Sequence, residues 1–136
     1  LATPTPVYIE ESFGYRIEVR TKFDFPRSNP LQKQFLFEYT VLITNVSGED
    51  AQLLTRTWHI EDGDEVVRQV KGPGVVGNTP RFKRGQTFEY SSYCPLPTLT
   101  GKMWGHFEML GEKGQTFEIT TPVFRFKIPA EFIDQY

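Results

Sequence analysis

From Tyr15 to Phe25 apolar and polar side chains change places at nearly every step: Tyr15, Ile17, Val19, Thr21, Phe23 and Phe25 fall on one side, Arg16, Glu18, Arg20, Lys22 and Asp24 on the other. A period of two is the mark of a half-buried strand, and it recurs along the chain. Gln34 to Asn45 puts Phe35, Phe37, Tyr39, Val41 and Ile43 on one face, with Leu36 and Leu42 weighting the other, as in a central strand. Ala51 to Asp62 aligns Gln52, Leu54, Arg56, Trp58 and Ile60. Shorter runs follow at Glu65 to Val70, Thr87 to Tyr93 and Gly101 to Leu110. A last run, Thr116 to Lys127, is interrupted at Pro122, where a bulge or edge position is expected. Turn signals separate the runs, among them Pro26 to Pro30, Asn45 to Asp50, Asp62-Gly63-Asp64 and Gly111 to Gly114. Cys94-Pro95-Leu96-Pro97 is expected to force an irregular connection, because proline lacks the donor a ladder needs. Only Pro129 to Tyr136 leaves room for a short helical turn. The pattern predicts an all-β fold, an immunoglobulin- or fibronectin type III-like sandwich of about seven antiparallel strands. It occupies residues 15–127, after an N-terminal extension (1–14) and before a C-terminal tail (128–136).

A chain of 136 residues fits one domain and can bury one sizeable core. Twelve Phe in a chain of negative mean hydropathy suit strands with one buried face. The single cysteine, Cys94, rules out an internal disulfide and makes an intracellular setting the expectation. No run approaches the roughly 20 apolar residues of a membrane span, and Leu1 to Pro6 lacks the regions of a signal peptide. Beginning at Leu1 rather than Met, the chain reads as a processed form or an excised piece of something longer.

Gly72-Pro73-Gly74-Val75-Val76-Gly77 spells G-x-G-x-x-G, which in dinucleotide-binding folds closes a strand and opens a helix holding the pyrophosphate. Here it runs into Asn78-Thr79-Pro80-Arg81-Phe82-Lys83-Arg84-Gly85, where no helix can start. The loop lies in a charge-asymmetric window. Val66 to Phe88 contains no acid, while Arg68, Lys71, Arg81, Lys83 and Arg84 give +5, leaving −7 for the rest of a chain whose formal net charge is −2. Such side chains are commonly solvated surface. The alternative is an anion or acidic-partner site, since the amides of a Gly-rich turn can form an anion-binding concavity without a helix.

Catalytic and metal chemistry finds little support. A nucleophile needs a base oriented by a third group, and no spacing pairs His59 or His106 with Ser91, Ser92 or Cys94. Two distant His and one Cys do not make a metal site, and Asp62, Asp64 and Glu65 read as a hairpin turn. No metal and no cofactor is expected. Asn45-Val46-Ser47 fits a glycosylation acceptor but reads more simply as a turn. Tyr90, Tyr93 and Trp104 beside the basic window raise nucleic-acid stacking, against which stand an isoelectric point near 5.7 and a core that consumes aromatics.

The order of motifs resembles the ApaG domain family. The match is carried by Gln52-Leu53-Leu54-x-Arg56-x-Trp58-x-Ile60-x-Asp62, Val70-x-Gly72-x-Gly74-Val75-Val76-Gly77-x-x-Pro80 and Gly85-x-x-Phe88-x-Tyr90. It continues in Cys94-Pro95-Leu96, Gly101-x-Met103-x-Gly105 and Phe117-x-Ile119-x-x-Pro122-x-Phe124, so that it spans about Tyr15 to Phe126. The resemblance implies a fibronectin-like sandwich without catalytic residues. The family includes small bacterial proteins associated with cobalt and magnesium tolerance. It also includes domains of larger eukaryotic proteins, among them F-box proteins and a DNA-polymerase-delta-interacting protein, where it looks like a partner-binding module. Tyr93 departs from the family's usual glycine and is expected to present an aromatic ring before Cys94-Pro95.

Two functional expectations follow. The first is a non-catalytic protein-interaction module, part of a larger protein, with Lys71, Val75, Val76, Arg81, Tyr93 and Trp104 as contact residues, the alternative for Val75 and Val76 being burial in the core. The second is binding of a phosphate or pyrophosphate compound at Gly72, Gly74 and Gly77 with Lys71, Arg81 and Arg84. An enzyme would require His59 or His106 to meet an acid and a nucleophile in a cleft. Unpaired sheet edges leave a homodimer open.

Overall fold

The computed structural model describes residues 6–133, and its strands form two antiparallel sheets packed face to face. The first sheet has the order β1 (Tyr8–Ser12), β2 (Tyr15–Phe23), β3 (Phe35–Asn45), β7 (Thr87–Leu96). The second has the order β10 (Phe124–Lys127), β8 (Thr100–Gly111), β4 (Ala51–Asp62), β5 (Val67–Pro73). A two-residue strand β6 (Arg81–Phe82) also pairs with β4, and β9 (Thr116–Thr120) pairs with β8. The inward residues that the period of two picks out, Tyr15, Ile17 and Val19 on β2 and Phe37, Val41 and Ile43 on β3, are almost fully buried. They meet Leu53, Trp58, Met103, Phe107 and Phe124 from the facing sheet. Trp58 sits edge-on to Tyr39, Phe107 and Phe124 at centroid distances of 5.6–5.8 Å. Such aromatic pairs add to simple area burial.

The strand count rises to ten among the described residues for identifiable reasons. Tyr8–Ser12, inside the stretch read as an extension, pairs with β2 through a two-residue turn at Phe13-Gly14; residues 1–5 lie outside the described chain. Pro122 divides the last run into β9 and β10. The tail forms a helical turn, α1 (Ala130–Ile133), whose Phe132 stacks on Phe25 at 4.9 Å; residues 134–136 are not described.

Two expectations are corrected. Cys94-Pro95-Leu96 is not an irregular connection but the end of β7, paired with Phe35–Phe37. Asn45 exchanges bonds with Gly85 and Gln86, so the even-numbered residues of β7 face β3 and Pro95 points its missing donor away from the ladder, where proline costs no bond. On β4 the register slips between Leu53 and Thr55. That bulge moves the buried face from Ala51 and Leu53 to Trp58 and Ile60, so Gln52 and Leu54 do not share a face with Trp58.

Candidate interaction surface

The G-x-G-x-x-G segment begins where β4 bulges. β5 and β6 are two stretches of edge strand laid along β4, and between them the chain leaves the ladder as a lateral hairpin. Gly74 N–H donates to Leu54 O at 2.8 Å on the way out, and Leu53 N–H to Pro80 O at 2.9 Å on the way back. Between these points Val75 and Asn78 exchange both backbone bonds, at 2.8 and 2.9 Å, around the two-residue tip Val76-Gly77. The tip residues have φ of +46° and +80°, the pair of positive angles that a type I′ hairpin demands.

Each glycine of the motif has its own mechanical reason. Gly74 has φ +61°, and a Cβ there would strike Asn78 O. Gly77 sits in open space and serves the turn's backbone alone. Gly72, paired with Arg56, lies under that arginine's guanidinium; an added Cβ would sit 3.1 Å from Nη1. Arg56 therefore reaches along the sandwich edge and donates from Nη1 to Pro73 O and Gly74 O, both at 2.9 Å. On the loop's other side Gln52 Nε2 donates to Thr79 O at 3.1 Å. Two side chains of β4 thus clamp both legs of the hairpin. The Arg56 charge also faces the phenols of Tyr39 and Tyr90, whose pKa values burial raises and that charge partly offsets.

The predicted contact residues are dispersed. Val75 is fully buried and belongs to the core, whereas Val76 is 58% exposed at the tip. Lys71 and Arg81 are exposed on β5 and β6, flanking the hairpin. Arg84 turns elsewhere: its Nη2 donates to Ser47 O and its backbone N–H to Asp50 Oδ1. Tyr93 and Trp104 lie on opposite outer faces of the sandwich, since Tyr93 alternates with buried Cys94 on β7 and Trp104 with buried Met103 on β8. Tyr93 presents its ring within the strand, without a bend, under Arg27 at 5.1 Å. Trp104 stacks on His59 at 5.5 Å. Tyr90, considered as a stacking platform, is buried.

The other candidates resolve similarly. His59 and His106 share the outer face of the second sheet, where His106 Nε2 lies 3.5 Å from Glu118. Cys94 is buried with its thiol pushed up to about 11, chiefly by burial, which makes it a poor nucleophile. Asp62 Oδ1 accepts from Asp64 and Val66 N–H, as a turn aspartate does, and no group of three or more His, Cys, Asp and Glu able to hold a metal ion occurs among the described residues. Asn45 is fully buried, its Oδ1 accepting from Gly48 N–H, so it is no glycan acceptor in this fold. No helix among the described residues is long and apolar enough to cross a membrane.

Sequence reasoning missed Arg56 and Gln52 as the clamps. The signal was present: after one bulge, Arg56 takes the core-facing register of Trp58 and Ile60, opposite a strand glycine.

The ordered hairpin and its clamps fall within residues 26–111, the span over which the ApaG domain profile matches. The chain belongs to the ApaG domain family. Protein ApaG of Mesorhizobium japonicum is 42% identical over 113 residues, covering 83% of this chain and 87% of that one. Protein ApaG of Bordetella pertussis is 43% identical over 117 residues, covering 86% and 89%. The crystal structure of the putative ApaA protein from Bordetella pertussis superposes with a TM-score of 0.81 at 40% identity, covering 93% of this chain and 98% of that one. The sandwich is thus the ApaG fold, and in this chain the glycines of the G-x-G-x-x-G hairpin serve turn geometry and close packing.

Proposed function

We propose that this ApaG domain is a non-catalytic protein-interaction module whose contact surface centres on the Val76 hairpin, flanked by Lys71 and Arg81. The observation that carries this reading is the conformation of Val76. A β-branched residue at φ +46° is a genuine outlier, costing roughly 1–2 kcal/mol, and asparagine would occupy the position without that strain. Yet the side chain is apolar and 58% exposed, so the core gains little from it. Strain held by an over-determined stem under a mostly exposed apolar side chain is the pattern of a contact residue. Exposed Arg81, of a residue type enriched at interface hot spots, flanks the tip. Among the described residues His59 stacks on Trp104, His106 lies against Glu118 and Cys94 is buried, an arrangement that supports a non-catalytic role.

Val76→Asn is the discriminating variant. It removes the apolar group while making the turn Asn-Gly, the preferred type I′ pair. The domain should then be more stable and yet capture its cellular partners at least about tenfold more weakly, as for an interface anchor. Unchanged capture by a stabilised Val76→Asn protein would reject this surface. Val75 must be left alone in such tests, because it is a core residue.

The phosphate reading has less to stand on. Gly74, Val75 and Asn78 spend their amides on carbonyls, Arg56 is committed to the loop's own backbone, and Arg84 faces Ser47. Amide chemical shifts of the loop during a pyrophosphate titration test it: saturation below millimolar would revive it.

A further inference from the structure

Resting on the reading of this domain as a protein-interaction module, we infer that the free edge of β5 accepts an extended acidic peptide as an added strand. β5 pairs with β4 on one side only and ends the second sheet. Asp62 N–H donates to Val66 O at one end, and Gly74 N–H to Leu54 O at the other. Even-numbered residues therefore turn their main chain toward β4. By the alternation of a strand, the N–H and C=O groups of Val67, Gln69 and Lys71 point outward, three residues of ladder with no strand partner among the described residues. An edge of this kind is a template for another strand.

Charge selects the occupant. β5 itself carries Arg68 and Lys71 and no acid, and Arg81 follows beyond the hairpin; the acids Glu61, Asp62, Asp64 and Glu65 gather at its Val67 end, so the cationic stretch of the edge runs from Arg68 onward. A second copy adding its own β5 antiparallel about Gln69 would set Arg68 opposite Val70 and Lys71 opposite Val67, gathering four cations on one ribbon with no acid opposite any of them. An acidic segment meets the opposite field. β7, the neighbouring edge of the other sheet, is a poorer template for it. β7 carries Glu89 and no cation, Pro95 removes one outward donor, and Arg68 Nη2 already donates to Pro95 O at 2.9 Å. Exposed Val67 begins β5 and offers apolar surface within the ladder itself. The fitting ligand is thus an extended stretch of about 23 Å, seven residues at roughly 3.3 Å each, with acids flanked by apolar residues.

The test uses a synthetic, end-capped seven-residue peptide alternating valine and aspartate, added to isotope-labelled protein at low salt. Amides of Val67, Gln69 and Lys71 should shift and exchange with solvent about tenfold more slowly, as newly paired ladder groups do. Gln69→Pro deletes one outward donor without removing a bond to β4, and should weaken binding about tenfold or more. Lys71→Glu, which leaves the backbone alone, should weaken it similarly and flatten its salt dependence. A valine–lysine peptide should not bind. Binding that survives Gln69→Pro and Lys71→Glu, equal binding of the lysine peptide, or silence at the three amides would overturn the proposal. So would protection of those amides that rises with protein concentration alone, which would assign the edge to a second copy. Val76 lies outside the ladder, so Val76→Asn should leave the peptide bound. Failure at the edge and failure of the hairpin reading therefore appear in different variants.

Discussion

The molecule uses the same tight hairpin twice and treats it differently. At Ser12–Tyr15 the tip is Phe13-Gly14, with φ of +52° and +78°; at Val75–Asn78 it is Val76-Gly77, with +46° and +80°. Both place a bulky apolar residue where asparagine would sit with less strain. Phe13, though 68% exposed, leans its ring on Phe117 at 5.5 Å. Gly14 is wedged so tightly that a Cβ would strike Gly48's backbone, and Val46 and Ser47 both donate to Gly14 O. The strain of the first tip is offset by contacts it makes within the fold. The second has a rigid stem and a tip aimed outward, its glycine in open space. Equal backbone geometry with unequal packing separates a structural turn from a candidate contact.

Alanine at the glycine of each tip gives the sharpest contrast. Gly14→Ala combines positive φ with a backbone collision and should cost about 4 kcal/mol, at the severe end for single changes, whereas Gly77→Ala should cost only about 1 kcal/mol of turn strain. Urea unfolding of both variants measures the difference, and equal losses would abolish the distinction.

Alkaline pH should strike the Phe13 end next. Tyr15 donates its hydroxyl to Glu49 O at 2.7 Å, and burial, then Asp50 and Glu49, raise its pKa to about 12 from 10.0. A folded-state value above the unfolded one contributes stability that is complete below pH 10 and fades as pH climbs toward 12. Cys94, raised to about 11 from 9.0, acts in the same direction from pH 9 upward. Melting temperatures recorded from pH 8 to 12 should fall, and Tyr15→Phe should flatten the fall between pH 10 and 12 at some cost in stability at neutral pH.

Arg56→Met should loosen the Val76 hairpin alone. It leaves Pro73 O and Gly74 O without their donor, at about 2 kcal/mol, and should speed amide exchange at Val75 and Asn78 while the Ser12–Tyr15 amides stay protected. The smallest effect is the asparagine pair. Val76→Asn should stabilise the domain by about 0.5–1 kcal/mol, while Phe13→Asn should come out near zero, because the lost Phe117 contact offsets the relieved strain. A matching gain at both tips would mean that Phe117 gives Phe13 nothing.

The sequence read alone determined the all-β class, most strand positions, the break at Pro122 and the buried sets of β2 and β3. A period of two follows from local backbone geometry and the need to bury one face, so it survives without knowledge of partners. It also determined that the G-x-G-x-x-G run opens no helix, since Pro80 and Gly85 deny one. Tertiary structure alone decided the rest. The bulge at Leu54 reversed which residues of β4 face the core, and one inserted residue is invisible to a periodicity that tolerates flaws. Pro95 stayed in a strand because β7 is an edge, a property set by which strands pair. Val75 and Val76 are identical in type and adjacent, yet one is core and the other tip. Tyr93 and Trp104 read as one surface until two sheets put them on opposite faces. Arg56 became a clamp only when β5 laid Gly72 beside it, because such contacts depend on register between strands that are distant in the chain.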